Sequence, residues 1–199
     1  MGSSVFSGGV ALISGAGSGI GLELARAFGR AGAAVVGTDI NAERIGKLVA
    51  ELKAQGVSAF GYRVDHAKGE EVEALAARVT AEVGPVDILC PNAGVGHMGK
   101  IGSIPEKEWR WVLDINLWGI IHMVNVFIPS MIERKRGWVL ITASGAGLTP
   151  IALAVIATES SGCSAINCSA WSSARSRRSS ESGAWPSPSP RVARFHVIG

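Results

Sequence analysis

The sequence contains few of the residues that crosslink a small protein or anchor it in a membrane. Its 199 residues include only three cysteines, whose irregular spacing excludes a disulfide scaffold and a CxxC metal pair. The N-terminus lacks the basic start of a signal peptide, and the longest apolar candidate, Leu117–Met131, is too short to span a membrane. We therefore expect a soluble, cytoplasmic protein without a bound metal or a membrane partner.

Charge is also scarce. Charged residues make up 18% of the chain and apolar residues 47%, so the chain can build a folded core. The net charge of +3 is too small to indicate a nucleic-acid partner by itself, and we expect none. Glycine is abundant, at 26 residues, and this surplus calls for a local explanation.

Lysine and aspartate are absent after residue 150, and this change divides the chain into two parts. Residues 151–199 contain 12 serines and five arginines, and three prolines fall in WPSPSPR. Their composition predicts a disordered, irregular tail. A folded unit is the alternative, and a third reading takes SSARSRR as an RNA-contacting segment.

In residues 1–150, strand and helix patterns alternate. The predicted strands are Val10–Ser14, Ala33–Asp39, Val57–Val64, Val86–Cys90 and Trp138–Ala143. The predicted helices are Ile20–Gly32, a helix from Asn41 to Gly56, Glu70–Val83, and one or two helices in Glu106–Lys135. This order predicts an α/β domain over residues 1–150, with a Rossmann-like, doubly wound parallel sheet that has helices on both faces and stops after its fifth strand.

A glycine-rich segment joins the first strand to the first helix. Gly15, Gly19 and Gly21 permit a tight turn and a close approach of the backbone to a diphosphate, and the helix N-terminus favours the negative charge. No GK[ST] follows, which excludes a nucleoside-triphosphate P-loop. A methyltransferase loop or a simple tight turn remains possible on this pattern alone.

Asp39 ends the second strand, 24 residues after Gly15. A carboxylate at that place accepts hydrogen bonds from both ribose hydroxyls and repels a 2′-phosphate, which favours NAD over NADP. The alternative is a helix-capping role before Asn41.

Five short motifs together resemble the short-chain dehydrogenase/reductase family. They are Ser14-Gly15-Ala16-Gly17-Ser18-Gly19-Ile20-Gly21, Asp65, Pro91-Asn92-Ala93-Gly94, Asn116 in DINLWG, and Ser144 in VLITAS. The resemblance implies that the glycine loop, with Ser14, Ser18 and Ile20, binds the cofactor. It also implies that Asp65 contacts adenine, and that Asn92, Ala93 and Gly94 line the cofactor site.

The resemblance further implies hydride transfer between a nicotinamide and a small alcohol or ketone. Ser144 would bind the substrate oxygen and Asn116 would anchor a proton-relay water. The family's Tyr-x-x-x-Lys should begin near Ala157, but the single tyrosine is Tyr62 and no lysine follows Lys135. We therefore expect impaired turnover, and a non-catalytic dinucleotide-binding module or an interaction protein using the Arg/Ser tail are the alternatives.

One hypothesis accounts for the composition change and the missing motif together: the reading frame shifts soon after Pro150. Without the family's later strands, Trp138–Ala143 becomes an exposed apolar edge that invites aggregation. The resemblance implies a dimer or tetramer through the helix after Asn116. Because half of that interface is missing from the sequence, we do not expect the family's assembly here.

Overall fold

A computed structural model describes residues 5–100, 102–144, 154–156 and 160–167 of this chain. Its main sheet has six strands in the order β3-β2-β1-β4-β6-β8. These strands are β1 (Val10–Ser14), β2 (Ala34–Asp39), β3 (Ala59–Arg63), β4 (Ile88–Cys90), β6 (Trp138–Ser144) and β8 (Ser160–Asn167). A separate antiparallel pair consists of β5 (His97–Gly99) and β7 (Ala154–Ile156).

Five strands of the main sheet run parallel, which confirms the predicted α/β class. β1 pairs with β2 on one side and with β4 on the other, so the chain order reverses between β1 and β4. Ligands of open α/β sheets bind beyond the carboxyl ends of the strands at such a reversal point.

Both faces of the sheet are buried. Leu12 of β1 packs into one core, and its neighbours Ala11 and Ile13 pack into the other, because successive side chains of a strand point to opposite faces. The first core also contains residues of α3 (Gly69–Glu82) and α5 (Gly119–Glu133), and the second contains residues of α1 (Gly19–Arg30) and α2 (Ala42–Ala54). The sheet is therefore doubly wound, as the sequence predicts.

The long predicted helix is interrupted. α4 (Glu106–Leu113) passes into a π-helical turn (Asp114–Trp118) and then into α5. The whole segment has 28 residues, and an 18-residue stretch within it has a mean hydropathy of 1.5, so by length and composition alone it could cross a membrane. Met123, Phe127 and Met131 of this segment are buried against the sheet. Core helices of soluble proteins pass the same test, so this is weak evidence for a membrane segment.

The prediction that the fifth parallel strand, β6, forms an open edge of the sheet is wrong. β8 lies antiparallel to β6, pairing Trp138 with Asn167 and Thr142 with Cys163. A parallel neighbour would need a long crossover connection, usually helical, whereas an antiparallel neighbour can return directly. The sequence predicts only an irregular tail there, because residues 160–167 carry no clear alternation. The predicted boundary near Pro150 and most of the tail lie outside the described residues.

Candidate functional site

A cleft of about 570 Å³ lies at the carboxyl ends of the strands, beside the reversal point between β1 and β4. Most of the residues that the sequence nominates for cofactor binding line it. These are Gly15, Ser18, Gly19, Ile20, Asp39, Asp65, Asn92, Ala93 and Gly94, and Asn116 lines it too. Residues far apart in sequence therefore meet in one place, as the parallel topology requires.

The glycine-rich loop is shaped by close backbone packing. Gly15 has φ +64°, and a Cβ there would lie 2.9 Å from the Ala93 Cα. A Cβ at Gly21 would collide with the Gly15 carbonyl oxygen. Glycine at these positions lets α1 begin directly above the end of β1. Ser18, the N-cap of α1, forms no side-chain capping bond within the described residues, so the helix start can receive an anion.

Asp39 lines the cleft, and both of its carboxylate oxygens accept hydrogen bonds. Oδ2 accepts from the Gly17 N–H at 3.1 Å, and Oδ1 accepts from the Asn41 N–H at 2.9 Å. Asn41 itself caps α2 by accepting from the Arg44 N–H. The capping role is thus taken by Asn41, and Asp39 instead ties the end of β2 to the glycine loop.

Arg44 is a cleft residue that the sequence pattern does not reveal. It lines the same cleft as Asp39, and a Cβ at Gly17 would lie 2.7 Å from Asp39 Oδ2 and 2.8 Å from the Arg44 Cβ. Both side chains therefore flank the glycine loop. The sequence does show that Arg44 lies in the first turn of the helix that follows Asp39. The direction of the Arg44 side chain, however, depends on how α2 packs.

Asp65 follows β3 and also lines the cleft. Its Oδ1 accepts from the Ala67 N–H at 3.1 Å, and its own N–H donates to Glu71 Oε2 at 2.8 Å. That backbone hydrogen bond, with help from Lys68, holds the pKa of Glu71 below its ordinary value. These bonds fix the β3–α3 turn and leave Asp65 facing the cleft.

Ser14 serves the backbone around the cleft. The residue is only 1% exposed, and its hydroxyl accepts from the Asn92 N–H at 2.8 Å and the Ala93 N–H at 2.9 Å. The Asn92 amide donates to the Ser14 carbonyl at 3.0 Å and accepts from the Thr142 hydroxyl at 2.8 Å. Ser14 and Asn92 therefore bind β1, β4 and β6 together below the cleft.

Asn116 lies within the π-helical turn and is 4% exposed. Its Oδ1 accepts from the Val95 N–H at 2.8 Å, and its Nδ2 donates to the Val95 carbonyl at 2.7 Å. The side chain thus clamps the loop after β4. π-Helical turns inside α-helices occur frequently at functional sites.

The remaining catalytic candidates are only partly described. Ser144 is the last residue of β6, and the expected tyrosine position near Ala157 lies outside the described residues. Tyr62 lies on β3, where its hydroxyl donates to Glu82 Oε2 at 2.8 Å. Burial, and then this hydrogen bond, raise the pKa of Tyr62 to about 12. Because Tyr62 does not line the cleft and holds its proton tightly, it does not replace the missing tyrosine.

Of the loop beyond Gly94, Val95 lines the cleft, but the residues of β5 do not. His97 lies in β5 with its Nδ1 3.5 Å from Glu108 Oε2, and Met98 is exposed. Neither residue lines the cleft. Within the described ranges, no group of three His, Cys, Asp or Glu side chains could hold a metal ion.

Comparison with known proteins assigns this arrangement to a family. The family model for short chain dehydrogenases matches residues 9–157, and the chain belongs to that family. Over 132 residues it is 39% identical to the 7alpha-hydroxysteroid dehydrogenase of Escherichia coli, covering 66% of this chain and 51% of that protein. Over 132 residues it is also 39% identical to the probable oxidoreductase EphD of Mycobacterium tuberculosis, covering 66% and 22%.

Solved structures give the same assignment. A short chain dehydrogenase/reductase from Burkholderia phymatum in complex with NAD superposes with a TM-score of 0.72 at 36% identity, covering 76% of this chain and 53% of that one. A metagenomic short-chain oxidoreductase in complex with NADP gives a TM-score of 0.72 at 35% identity, covering 75% and 68%. The chain spans about half or less of the length of the curated relatives named above.

Proposed function

We propose that the cleft binds a nicotinamide dinucleotide, with NAD preferred over NADP. The observation that carries this proposal is the convergence of the glycine loop, Asp39 and Asp65 on one cleft at the reversal point of the sheet. A phosphate at the N-terminus of α1 meets free N–H groups and the positive end of the helix dipole. Asp39 accepts from the ribose hydroxyls, and its negative charge opposes a 2′-phosphate.

A dinucleotide titration with matched glycine variants tests the proposal. Gly15→Ala places a Cβ against Ala93 at a positive φ, whereas Gly46→Ala on α2 meets no atom within 4 Å. We expect Gly15→Ala to weaken NADH binding at least tenfold and Gly46→Ala to leave it unchanged, measured by NADH fluorescence. Circular dichroism confirms that each variant is folded. Unchanged binding by a folded Gly15→Ala protein contradicts the proposed phosphate site.

We propose further that the chain derives from an oxidoreductase acting on a small alcohol or ketone, and that its own turnover is close to background. The bound nicotinamide would supply the hydride chemistry. The substrate oxygen also needs a group that exchanges its proton, and such general acid–base catalysis typically contributes about 10²–10⁴-fold. The chain has no tyrosine near residue 157 and no lysine after Lys135, so this contribution is missing. A dinucleotide-binding module without catalysis is therefore the second candidate function.

We propose that a frameshift after Pro150 removed the Tyr-x-x-x-Lys segment. Reading the nucleotide sequence around codons 145–160 tests this proposal directly. If it holds, a chain with the restored frame should oxidise secondary alcohols with NAD at a rate at least 100-fold above that of the 199-residue chain. An unbroken frame in the gene, with the present tail encoded as written, contradicts it.

A further inference from the structure

A buried histidine among the residues that line the cleft has no role yet in the proposed cofactor contacts. His66 follows Asp65 and is 5% exposed. Its Nε2 lies 2.8 Å from the Thr38 hydroxyl, and that hydroxyl lies 3.3 Å from the Ile13 carbonyl oxygen. Thr38 is completely buried. The three residues therefore form a short hydrogen-bonded chain inside the protein.

The direction of these hydrogen bonds follows from the number of protons available. The Thr38 hydroxyl has one proton, and we assign it to the bond with the Ile13 carbonyl, so that the hydroxyl accepts from His66 Nε2. This assignment requires a proton on His66 Nε2. Its Nδ1 has no hydrogen-bond partner among the described residues. Burial lowers the pKa of His66 to about 4, which agrees with a neutral ring at physiological pH.

The chain of hydrogen bonds crosses the ends of three neighbouring segments. Ile13 is two residues before Gly15, Thr38 directly precedes Asp39, and His66 directly follows Asp65. On its other side His66 is held by α5, because its carbonyl oxygen lies 3.1 Å from His122 Nδ1. A shift of His66 would therefore move the ends of β2 and β3 relative to each other.

We propose that His66 is a positioning residue that, through Thr38, fixes the separation of Asp39 and Asp65 for the adenosine half of the dinucleotide. The inference rests on the proposed cofactor site. It concerns the adenosine half of that site, since the hydrogen bonds between Ile13, Thr38 and His66 join the ends of β1 and β2 to the segment after β3.

Matched substitutions separate the hydrogen bond from simple packing. Thr38→Val removes the hydroxyl and Thr38→Ser keeps it; His66→Leu removes the donor and His66→Gln keeps an N–H near the Nε2 position. We expect Thr38→Val and His66→Leu to weaken AMP and NAD binding about tenfold each, with NMN binding unchanged. Thr38→Ser and His66→Gln should restore AMP binding to within about threefold. Titrations followed by NMR measure all three ligands.

The double variant is the decisive control. If the two residues act through one hydrogen bond, Thr38→Val combined with His66→Leu should weaken AMP binding no more than either change alone. Equal losses for AMP and NMN, or a Thr38→Ser protein as weak as Thr38→Val, would overturn the inference. If the unmodified chain binds NAD and every Thr38 and His66 variant binds it with the same affinity, the inference is overturned and the proposed function stands. A chain that binds neither NAD nor AMP overturns both.

The tautomer gives a readout that does not depend on any ligand. ¹⁵N NMR of the imidazole should show the proton of His66 on Nε2 in the unmodified chain, and this signal should change in Thr38→Val but not in Thr38→Ser. A proton on Nδ1 contradicts the proposed direction of the hydrogen bonds.

Discussion

Replacing Asp39 should change cofactor preference more than any other single substitution in the cleft. Its carboxylate lies between the glycine loop and α2, accepting from the Gly17 and Asn41 N–H groups. Asp39→Ala removes both the acceptor for ribose hydroxyls and the negative charge. Arg44 then remains beside Gly17 in the same cleft, so the charge next to the glycine loop changes from mixed to positive, while Asp65 still lines the cleft.

The size of the effect can be bounded from charge and exposure. Two unit charges about 5 Å apart interact by roughly 3 kcal/mol at an effective dielectric constant of about 20. Asp39 is half-buried, so solvent screening reduces this value. A change of about 1.4 to 2.8 kcal/mol in the difference between NAD and NADP binding is reasonable, which is roughly ten- to hundredfold. Most of this change should come from weaker NAD binding and from the loss of repulsion between Asp39 and the 2′-phosphate of NADP.

Three variants separate charge from hydrogen bonding when NADH and NADPH are titrated in parallel. Asp39→Asn keeps an acceptor oxygen but loses the charge, so it should recover part of the NADPH affinity while still binding NADH. Asp39→Ala should reduce the difference between the NADH and NADPH affinities further. Adding Arg44→Ala to Asp39→Ala should abolish the increase in NADPH affinity that Asp39→Ala produces. If the unmodified chain binds NADPH as tightly as NADH, or if Asp39→Ala leaves their ratio unchanged, the assigned role of Asp39 is wrong.

Other predictions concern stability, the sheet edge and turnover. Burial lowers the pKa of His66 from 6.5 to about 4, so the unfolded chain binds the proton first. The free energy of unfolding should therefore fall as pH drops from 6.5 to 4, by up to about 3 kcal/mol from this group. Denaturant titrations at several pH values should show that the free energy of unfolding of His66→Gln depends less on pH than that of the unmodified chain. An equal pH dependence contradicts the assignment of this effect to His66. Because β8 pairs with β6, amides in Ser160–Asn167 should exchange measurably more slowly than those of an unstructured peptide, and uniformly fast exchange would show that β6 is an open edge. NADH absorbance with a panel of secondary alcohols and ketones should show turnover near background; robust turnover that Ser144→Ala abolishes would show that the missing tyrosine is not needed.

The parallel sheet could be predicted from sequence because its signals are local. β1 through β4 and β6 are short apolar runs, and the helices between them repeat apolar residues at helical spacing. The order of these elements then leaves few possible topologies, since parallel crossovers are almost always right-handed. The positions of Gly15 and Asp39 at strand ends followed from the same pattern, whereas the family resemblance nominated Asp65.

The contacts of individual polar side chains could not be read in this way. Ser14 belongs to the family motif, yet its hydroxyl accepts from the N–H groups of Asn92 and Ala93. Nothing near Ser14 in sequence indicates those partners. They are close only because β4 pairs with β1.

The sequence by itself determined the class of fold, the glycine loop and the acidic residues that face the cleft. Only the tertiary structure decided that β8 covers β6, that Arg44 flanks Asp39, and that Thr38 joins His66 to Ile13. The physical reason is the range of the interactions. Periodicity and turn chemistry act between residues a few positions apart, whereas strand pairing and buried hydrogen bonds depend on which distant segments the packed core brings within about 3 Å of each other.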